Sequence, residues 1–295
     1  MNGRVVAAHG RHYEVELDDG SLRRCYPRGK KSGAAAVGDR VHILLEGADG
    51  GVIDAVLPRA NLLYRSDEMR TKQFAANVDQ LLIVTAVAPL FSEDLLGRAL
   101  AGAWSVGIEP FIVLNKIDLS DGLAQARTRL ESVATLGVPV LALSAHDTLA
   151  VQLALAPLLI GKTSLLLGQS GMGKSTLLNA LAPDACAATR EHSEALGAGR
   201  HTTTSTRLYH LPGGGDLIDS PGFQAFGLQH LSPADIVRGF PEFAQPAKTC
   251  RFYNCTHRHE PGCGVLAALA AGIIDPARHA LYGRILDENA AGQRY

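Results

Sequence analysis

Two rhythms of apolar and polar positions divide the chain. Up to about residue 65 the apolar runs are short and broken by turn residues. They are Val5-Val6-Ala7-Ala8, Tyr13-Glu14-Val15-Glu16-Leu17, Arg40-Val41-His42-Ile43-Leu44-Leu45 and Gly51-Val52-Ile53-Asp54-Ala55-Val56. Asp18-Asp19-Gly20 reads as a turn, and Val37-Gly38-Asp39 precedes another strand-like run. Short strands with such turns predict a small barrel, with the oligonucleotide/oligosaccharide-binding (OB) type a good candidate. From about residue 78 the rhythm changes. Leu81-Leu82-Ile83-Val84 is continuous, as in a strand buried on both faces. Ser92 caps a predicted helix whose first turn carries Glu93 and Asp94, where acids suit the dipole. Phe111-Ile112-Val113-Leu114 is the next strand, followed by a helix over 123–136 closed by Gly137. Val140-Leu141-Ala142-Leu143 and Ser164-Leu165-Leu166-Leu167 are further strands. This alternation predicts a parallel sheet with helices on both faces. A tail from about residue 230 holds a Cys/His cluster and a helical stretch over 265–272.

Composition changes this picture only in places. With 295 residues, about two domains and a small third are expected. The formal net charge of −1 gives no global field toward nucleic acid, so any such grip must come from local patches. No apolar run is long enough to span a membrane, and the N-terminal residues lack the apolar core of a signal peptide. Of the five cysteines, Cys250, Cys255 and Cys263 crowd together beside histidines, which points to a metal rather than disulfides. A reducing cytoplasm, no membrane partner and a monomer are the expectations. Cys25 and Cys186 read as core or neutral surface.

The chemistry lies in Gly168-Gln169-Ser170-Gly171-Met172-Gly173-Lys174-Ser175, a phosphate-binding loop that follows a buried strand and opens the helical run from Thr176. Its glycines let backbone N–H groups curl around phosphate oxygens, and the helix N-terminus adds partial positive charge. Lys174 is placed to reach the β- and γ-phosphates, and Ser175 to ligate Mg²⁺. Upstream, Asn115-Lys116-Ile117-Asp118 ends a predicted strand. The Asp118 carboxylate can accept from guanine N1–H and the exocyclic N2–H₂ together, which adenine cannot match. Asn115 would face the N7 side of the ring and hold neighbouring loops, with the Lys116 stem over the base. Ser144-Ala145 fits a second guanine-contacting loop by position, a backbone N–H there meeting guanine O6. The base reader thus precedes the phosphate loop, the reverse of the common GTPase order.

Asp219-Ser220-Pro221-Gly222 ends the apolar run Leu217-Ile218. Asp219 would hold Mg²⁺ through water, and the Gly222 N–H would sense the γ-phosphate. Thr202-Thr203-Thr204 lies where the first switch belongs, and Thr203 is expected to complete the Mg²⁺ shell. The residue after Gly222 is Phe223, with Gln224 one position late, so the usual water-orienting glutamine is absent. In the tail, Cys250, Cys255, a histidine and Cys263 supply a closed tetrahedral shell for a structural Zn²⁺, with His257 and His259 both near enough to be the fourth ligand.

On these motifs, with Asn77-Val78-Asp79, Gly199-Arg200-His201-Thr202-Thr203-Thr204 and Cys250…Cys263, nearly the whole chain resembles the circularly permuted ribosome small-subunit-dependent GTPase A family. The resemblance implies a circularly permuted α/β P-loop GTPase domain over 67–229. An N-terminal all-β OB-fold barrel over 1–66 and a small, α-rich zinc-binding domain over 230–295 would flank it. It implies GTP hydrolysis in late maturation of the small ribosomal subunit, stimulated by that subunit, with its rRNA and assembly factors as partners. It favours His257 as the zinc ligand and makes His201 the substitute for the missing glutamine. The nucleotide set is then Asn115, Lys116, Ile117, Asp118, Ser144, Ala145, Gly168 to Ser175, Thr176 and Gly222.

Three basic groups could meet rRNA phosphates. Arg23, Arg24, Arg28, Lys30 and Lys31, with Tyr26 interleaved, read as a barrel loop. His257, Arg258 and His259 form a second spot, and Arg278, Arg284 and Arg294 a third. Two other readings are a GTP-gated ribosome-binding module whose hydrolysis only resets the switch, and an ATPase, which Asp118 opposes.

Overall fold

The computed structural model describes residues 1–29, 34–47, 49–66, 71–183, 206–220 and 228–292. His201, Thr202 to Thr204, Gly222, Phe223, Gln224, Cys186, Lys30, Lys31 and Arg294 lie outside the described residues.

The barrel closes as the short strand-like runs and their turns predict. β1 (Asn2–Ala8) pairs antiparallel with β2 (Tyr13–Leu17), and β2 with β3 (Leu22–Pro27). β4 (Arg40–Glu46) pairs with β5 (Gly50–Val56), β5 runs parallel to β3, and β4 returns to β1. The ring 1-2-3-5-4-1 is that of an OB barrel. Val5, Val15, Cys25, Val41, Ile43 and Ile53 fill it, each at most 1% exposed. Strand β3 corrects the expected basic loop: Arg23, Arg24 and Tyr26 sit on a strand. Only Cys25 of β3 is buried, so no alternation marks it as one. Arg28 is not a free cation either, because it pairs with Asp54.

A hairpin of β6 (Leu62–Ser66) and β7 (Thr71–Ala76) follows, and it straddles the expected boundary between residues 66 and 67. Beyond it β8 (Gln80–Ala86), β9 (Glu109–Asn115), β10 (Val140–Ala142), β11 (Thr163–Leu167) and β13 (Asp216–Asp219) form a parallel sheet in the order 10-9-8-11-13. β12 (Thr206–His210) lies antiparallel beside β13. The helices are α1 (Glu93–Ser105), α2 (Leu123–Ala134), α3 (Thr148–Leu159) and α4 (Lys174–Leu181). Ser92 caps α1 by accepting from the Leu95 N–H.

Barrel and sheet are one continuous structure. β1 pairs with β12 at Ala7–Arg207 and Ala8–Thr206. Arg4 pairs with Asp216 and donates to Thr163 Oγ1 at 2.8 Å, and Arg207 pairs with Glu14 at 2.7 Å. His210 Nε2 donates to Glu16 at 2.8 Å and Nδ1 to Asp216 at 2.6 Å. Only a protonated ring can donate from both nitrogens. Burial works against that charge, but the hydrogen bonds to Glu16 and Asp216 and their negative charges outweigh it and raise the His210 pKa above its ordinary 6.5. This contribution to stability is therefore complete below about pH 6.5 and is lost as pH rises through the raised folded value. His210→Gln is expected to flatten the fall in melting temperature between about pH 6 and 8, which thermal melts of both proteins would show.

The C-terminal part contains α5 (Pro233–Arg238), a 3₁₀ turn at Pro241–Phe243, α6 (Ala244–Ala247), α7 (Gly264–Ala270) and α8 (Pro276–Gly292). A capping box between Ser232 and Asp235 starts α5. Helix α8 packs on α1 and α5. This corrects the expected third basic spot. Arg278 is buried, donates to Glu242 at 2.7 Å and lies 4.4 Å from the Phe240 ring centre, while Arg284 pairs with Asp94 at 2.6 Å. Arg278 is thereby taken off the surface, whereas Arg284, 52% exposed, joins α8 to α1 while still facing solvent. Arg258 of the second spot is likewise paired, with Asp287 at 2.8 Å.

Candidate nucleotide and metal sites

Residues Gly168 to Gly173 leave β11 at its carboxyl end and lead into α4, the strand–loop–helix setting a phosphate loop requires. The glycines are dictated by close approach. A Cβ on Gly168 would lie 2.5 Å from the Val84 carbonyl oxygen, and one on Gly173 would lie 2.1 Å from Asn115 Nδ2. Gly173 also has φ +94°, the left-handed region. It brings no side chain to cap α4, so the first N–H groups of that helix face the loop. Lys174 Nζ donates to the carbonyls of Gly168 at 2.6 Å and Gln169 at 3.1 Å. Burial lowers the Lys174 pKa, and the Asp219 charge opposes that fall. Asp219 itself ends β13 and is buried, and the Ser220 hydroxyl beside it donates to the Leu166 carbonyl at 3.1 Å. Ser175 is exposed in the first turn of α4, with Thr176 half-buried next to it.

The base reader is locked to this loop. Asn115 is 1% exposed at the end of β9. Its Nδ2 donates to the Met172 carbonyl at 2.8 Å, and its Oδ1 accepts from the N–H groups of Lys116 at 2.7 Å and Ala145 at 2.8 Å. One side chain thus holds three loops together: the reader, the phosphate loop and Ser144-Ala145. One backbone N–H of the Ser144-Ala145 loop is engaged in doing so. Lys116 has φ +63°, and its Nζ donates to the Ala88 carbonyl at 2.7 Å. Ile117 is half-buried against the core. Asp118 is exposed, and a hydrogen bond from the Ser144 side chain leads the effects that hold its carboxyl below the usual range. The structure therefore brings together Asn115, Lys116, Ala145 and the phosphate loop, with Asp118 open to solvent at their rim. Gln169 departs from the simple motif reading. Its side chain turns away to accept the Ser92 N–H at 2.7 Å. No local signal could reveal that link, because the partners lie 77 positions apart.

The second site is the cluster Cys250, Cys255, His257 and Cys263, whose ligand atoms all lie within 4.8 Å of one another. His257 Nδ1 is 3.6 Å from Cys250 Sγ and 3.5 Å from Cys263 Sγ, and those two sulfurs are 3.9 Å apart. Tetrahedral Zn²⁺, with arms of about 2.3 Å to sulfur and about 2.0 Å to nitrogen, separates its ligands by about 3.5–3.8 Å. The cluster fits that ion. His257 takes φ +59°, which turns its ring inward, and His259 is not in the group. The N–H groups of Gly264 and Leu266 point at the sulfurs of Cys250 at 3.3 Å and Cys263 at 3.5 Å, offsetting thiolate charge.

A parallel sheet carrying a phosphate loop and a guanine reader at its carboxyl edge, in inverted chain order, defines a permuted P-loop GTPase. The RsgA GTPase family model matches residues 56–229, and the chain belongs to the RsgA GTPase family of GTP-hydrolysing enzymes. It is 72% identical over 294 residues to a Bordetella pertussis protein named "Small ribosomal subunit biogenesis GTPase RsgA", covering 99% of this chain and 98% of that one. A Burkholderia pseudomallei protein of the same name is 59% identical over 290 residues, covering 97% and 91%. Among solved structures, YjeQ from Thermotoga maritima matches with TM-score 0.72 and 32% identity over 98% of both chains. YloQ, described as a circularly permuted GTPase, matches with TM-score 0.69 and 28% identity over 98% of this chain and 95% of its own.

Proposed function

We propose that the chain hydrolyses GTP as a step in biogenesis of the small ribosomal subunit, acting late in maturation and turning over faster on that subunit. The observation that carries the GTP site is Asn115, which ties reader and phosphate loop into one rigid cradle. The near-full-length similarity to small ribosomal subunit biogenesis GTPases supports the substrate particle. In this reading Asp118 takes the guanine edge and Lys174 the β- and γ-phosphates. Ser175, Thr203 and Asp219 would hold Mg²⁺, and the Gly222 N–H would meet the γ-phosphate. Bound Mg²⁺ would neutralise charge on the phosphates. His201 orients the attacking water. The barrel and zinc domain grip rRNA, with Arg23 and Arg24 on β3 as phosphate contacts, and assembly factors on the subunit are further partners. The protein works in the cytoplasm as a monomer with no membrane partner; among the described residues, no helix is long and apolar enough to cross one. Domain limits of 1–66, 67–229 and 230–295 follow this division of labour, except that the β6–β7 hairpin crosses the first limit and stays whole.

Single-turnover hydrolysis with and without small subunits tests the proposal. Stimulation is expected, and equal rates would leave only a nucleotide-gated binding module. His201→Ala should lower the stimulated rate roughly 10²-fold while GTP affinity stays within about twofold, because only transition-state assistance is removed. Equilibrium binding of a fluorescent GTP analogue beside the rate separates the two effects.

A further inference from the structure

We infer that α1 is a rigid coupling rod between the phosphate loop and the zinc domain, with Gln169 as the positioning residue at the nucleotide end. The inference rests on the phosphates binding at Gly168 to Ser175. Three sets of contacts compose the rod. At its N-terminus, Gln169 Oε1 accepts the Ser92 N–H at 2.7 Å, and Ser92 caps α1. Gln169 also supplies one of the two carbonyls that hold Lys174 Nζ, so the residue tied to α1 helps to place the phosphate-binding ammonium.

Along its length, α1 is clasped by α8. Arg98 donates to Asp94 at 2.7 Å and, through both ends of its guanidinium, to Glu288 at 2.7 and 2.6 Å. The Arg98 side chain is 13% exposed and Glu288 is 44% exposed, so the pair sits at the rim of the helix contact, and its two parallel bonds fix the orientation of the guanidinium there. Arg284 on α8 returns to Asp94 at 2.6 Å. The helices touch without a gap at Gly97, where a Cβ would lie 2.5 Å from Leu281 Cδ2. A Cβ on Gly239, just past α5, would lie 2.5 Å from the Ala101 carbonyl oxygen. At the far end, α8 holds the metal loop. The Tyr282 hydroxyl donates to the Thr256 carbonyl at 2.9 Å, and His279 Nε2 donates to the His257 carbonyl at 2.8 Å.

Every link lies among the described residues, and none passes through the segments where the switches belong. A packed helix clasped at both ends moves as a body. A load that shifts the zinc loop therefore acts on α8, then on α1, then on the Ser92 N–H and the phosphate loop. Because coupling is reciprocal, nucleotide binding must in turn alter the zinc domain.

Both directions can be measured on the full-length, zinc-loaded protein without ribosomes, so a failed subunit stimulation assay would not bear on the result. In amide hydrogen exchange, a GTP analogue is expected to slow exchange in α8 and at residues 255–257 relative to nucleotide-free protein. Gln169→Ala should abolish that difference, and Gln169→Glu, which keeps an acceptor oxygen, should restore it. In the other direction, Arg98→Met and Glu288→Gln, both outside the nucleotide site, should each speed release of a fluorescent GDP by about fivefold. Co²⁺ substitution spectra should stay native in all four variants. Nucleotide-independent exchange in the native protein would overturn the inference, as would protection that survives Gln169→Ala or release rates that stay within twofold. If Gln169→Ala no longer binds nucleotide, the Arg98 and Glu288 release rates decide.

Discussion

Stripping zinc, or replacing Cys263 by alanine, is expected to unfold the segment from the 3₁₀ turn through α7 and to release α8 from α1. The segment has little core of its own: Phe243, Val265 and Ala268 are buried, and Cys263 is itself a ligand. Structural zinc in small peptides contributes roughly 10–16 kcal/mol, which a core of that size cannot replace. Losing one thiolate also leaves three ligands converging on a buried point with no partner for the fourth position. The single tryptophan reports the outcome directly. Trp104 lies on α1 with its ring centre 5.6 Å from the Arg278 guanidinium carbon of α8. Its emission should shift when a chelator removes the metal, and proteolysis should then begin in the C-terminal third. A native emission spectrum on protein shown to be free of zinc would sink the idea. GTP affinity should fall less than stability, because the nucleotide cradle keeps its own sheet and Asn115 bonds.

Asp118→Asn should exchange guanine for xanthine preference. The carboxylate is an acceptor-only group facing solvent at the rim of the site, and its low pKa keeps it charged at neutral pH. Guanine offers it two N–H donors. An amide turns one acceptor into a donor, which clashes with guanine N2–H₂ and suits the C2 oxygen of xanthine. Sites built to hydrogen-bond a substrate N–H discriminate by about 10⁴–10⁵-fold, and at an exposed rim carboxylate a smaller loss of GTP affinity, roughly 10³-fold, with a comparable gain for XTP is expected. Asp118 is exposed and borders no packed core, so the fold should tolerate the change, and an unaltered melting curve is part of the expectation. Competition between GTP and XTP for a fluorescent nucleotide measures it. Retained GTP preference would mean that Asp118 does not read the base.

What could be read in the chain beforehand was whatever local order encodes. Strands β1, β2, β4 and β5 are short apolar-rich runs set off by turn residues, and β8 and β11 each carry a continuous apolar run and are buried at every position. The phosphate loop and reader are legible because their residues are contiguous. Strand β3 hides because only Cys25 points inward. Helix α3 hides because it is apolar all round: Leu149 and Leu153 are exposed while Val151, Leu155 and Leu159 are buried, so no stripe stands out. Helix α8 hides because buried Arg278 and Asn289 interrupt its apolar face. The bonds that make the site rigid are the least legible. Asn115 reaches Met172 across 57 positions, and Arg98 reaches Glu288 across 190. Charge in sequence also misleads when it is buried on a partner, as with Arg278 against Glu242.

The pairing of β1 with β12 bears on how this chain could be recombined with its relatives. A barrel joined to its neighbour by a flexible tether could be exchanged at will. Here the seam is made of backbone pairs at residues 7–8 and 206–207, and of side chains that must match across it: Arg4 with Asp216, Glu14 with Arg207, Glu16 with His210. A hybrid that takes residues 1–56 from one family member and the remainder from another inherits half of each match. Its success depends on whether the donor carries the complementary charges at these positions. The seam, rather than the sequence junction, is where grafting would have to be designed.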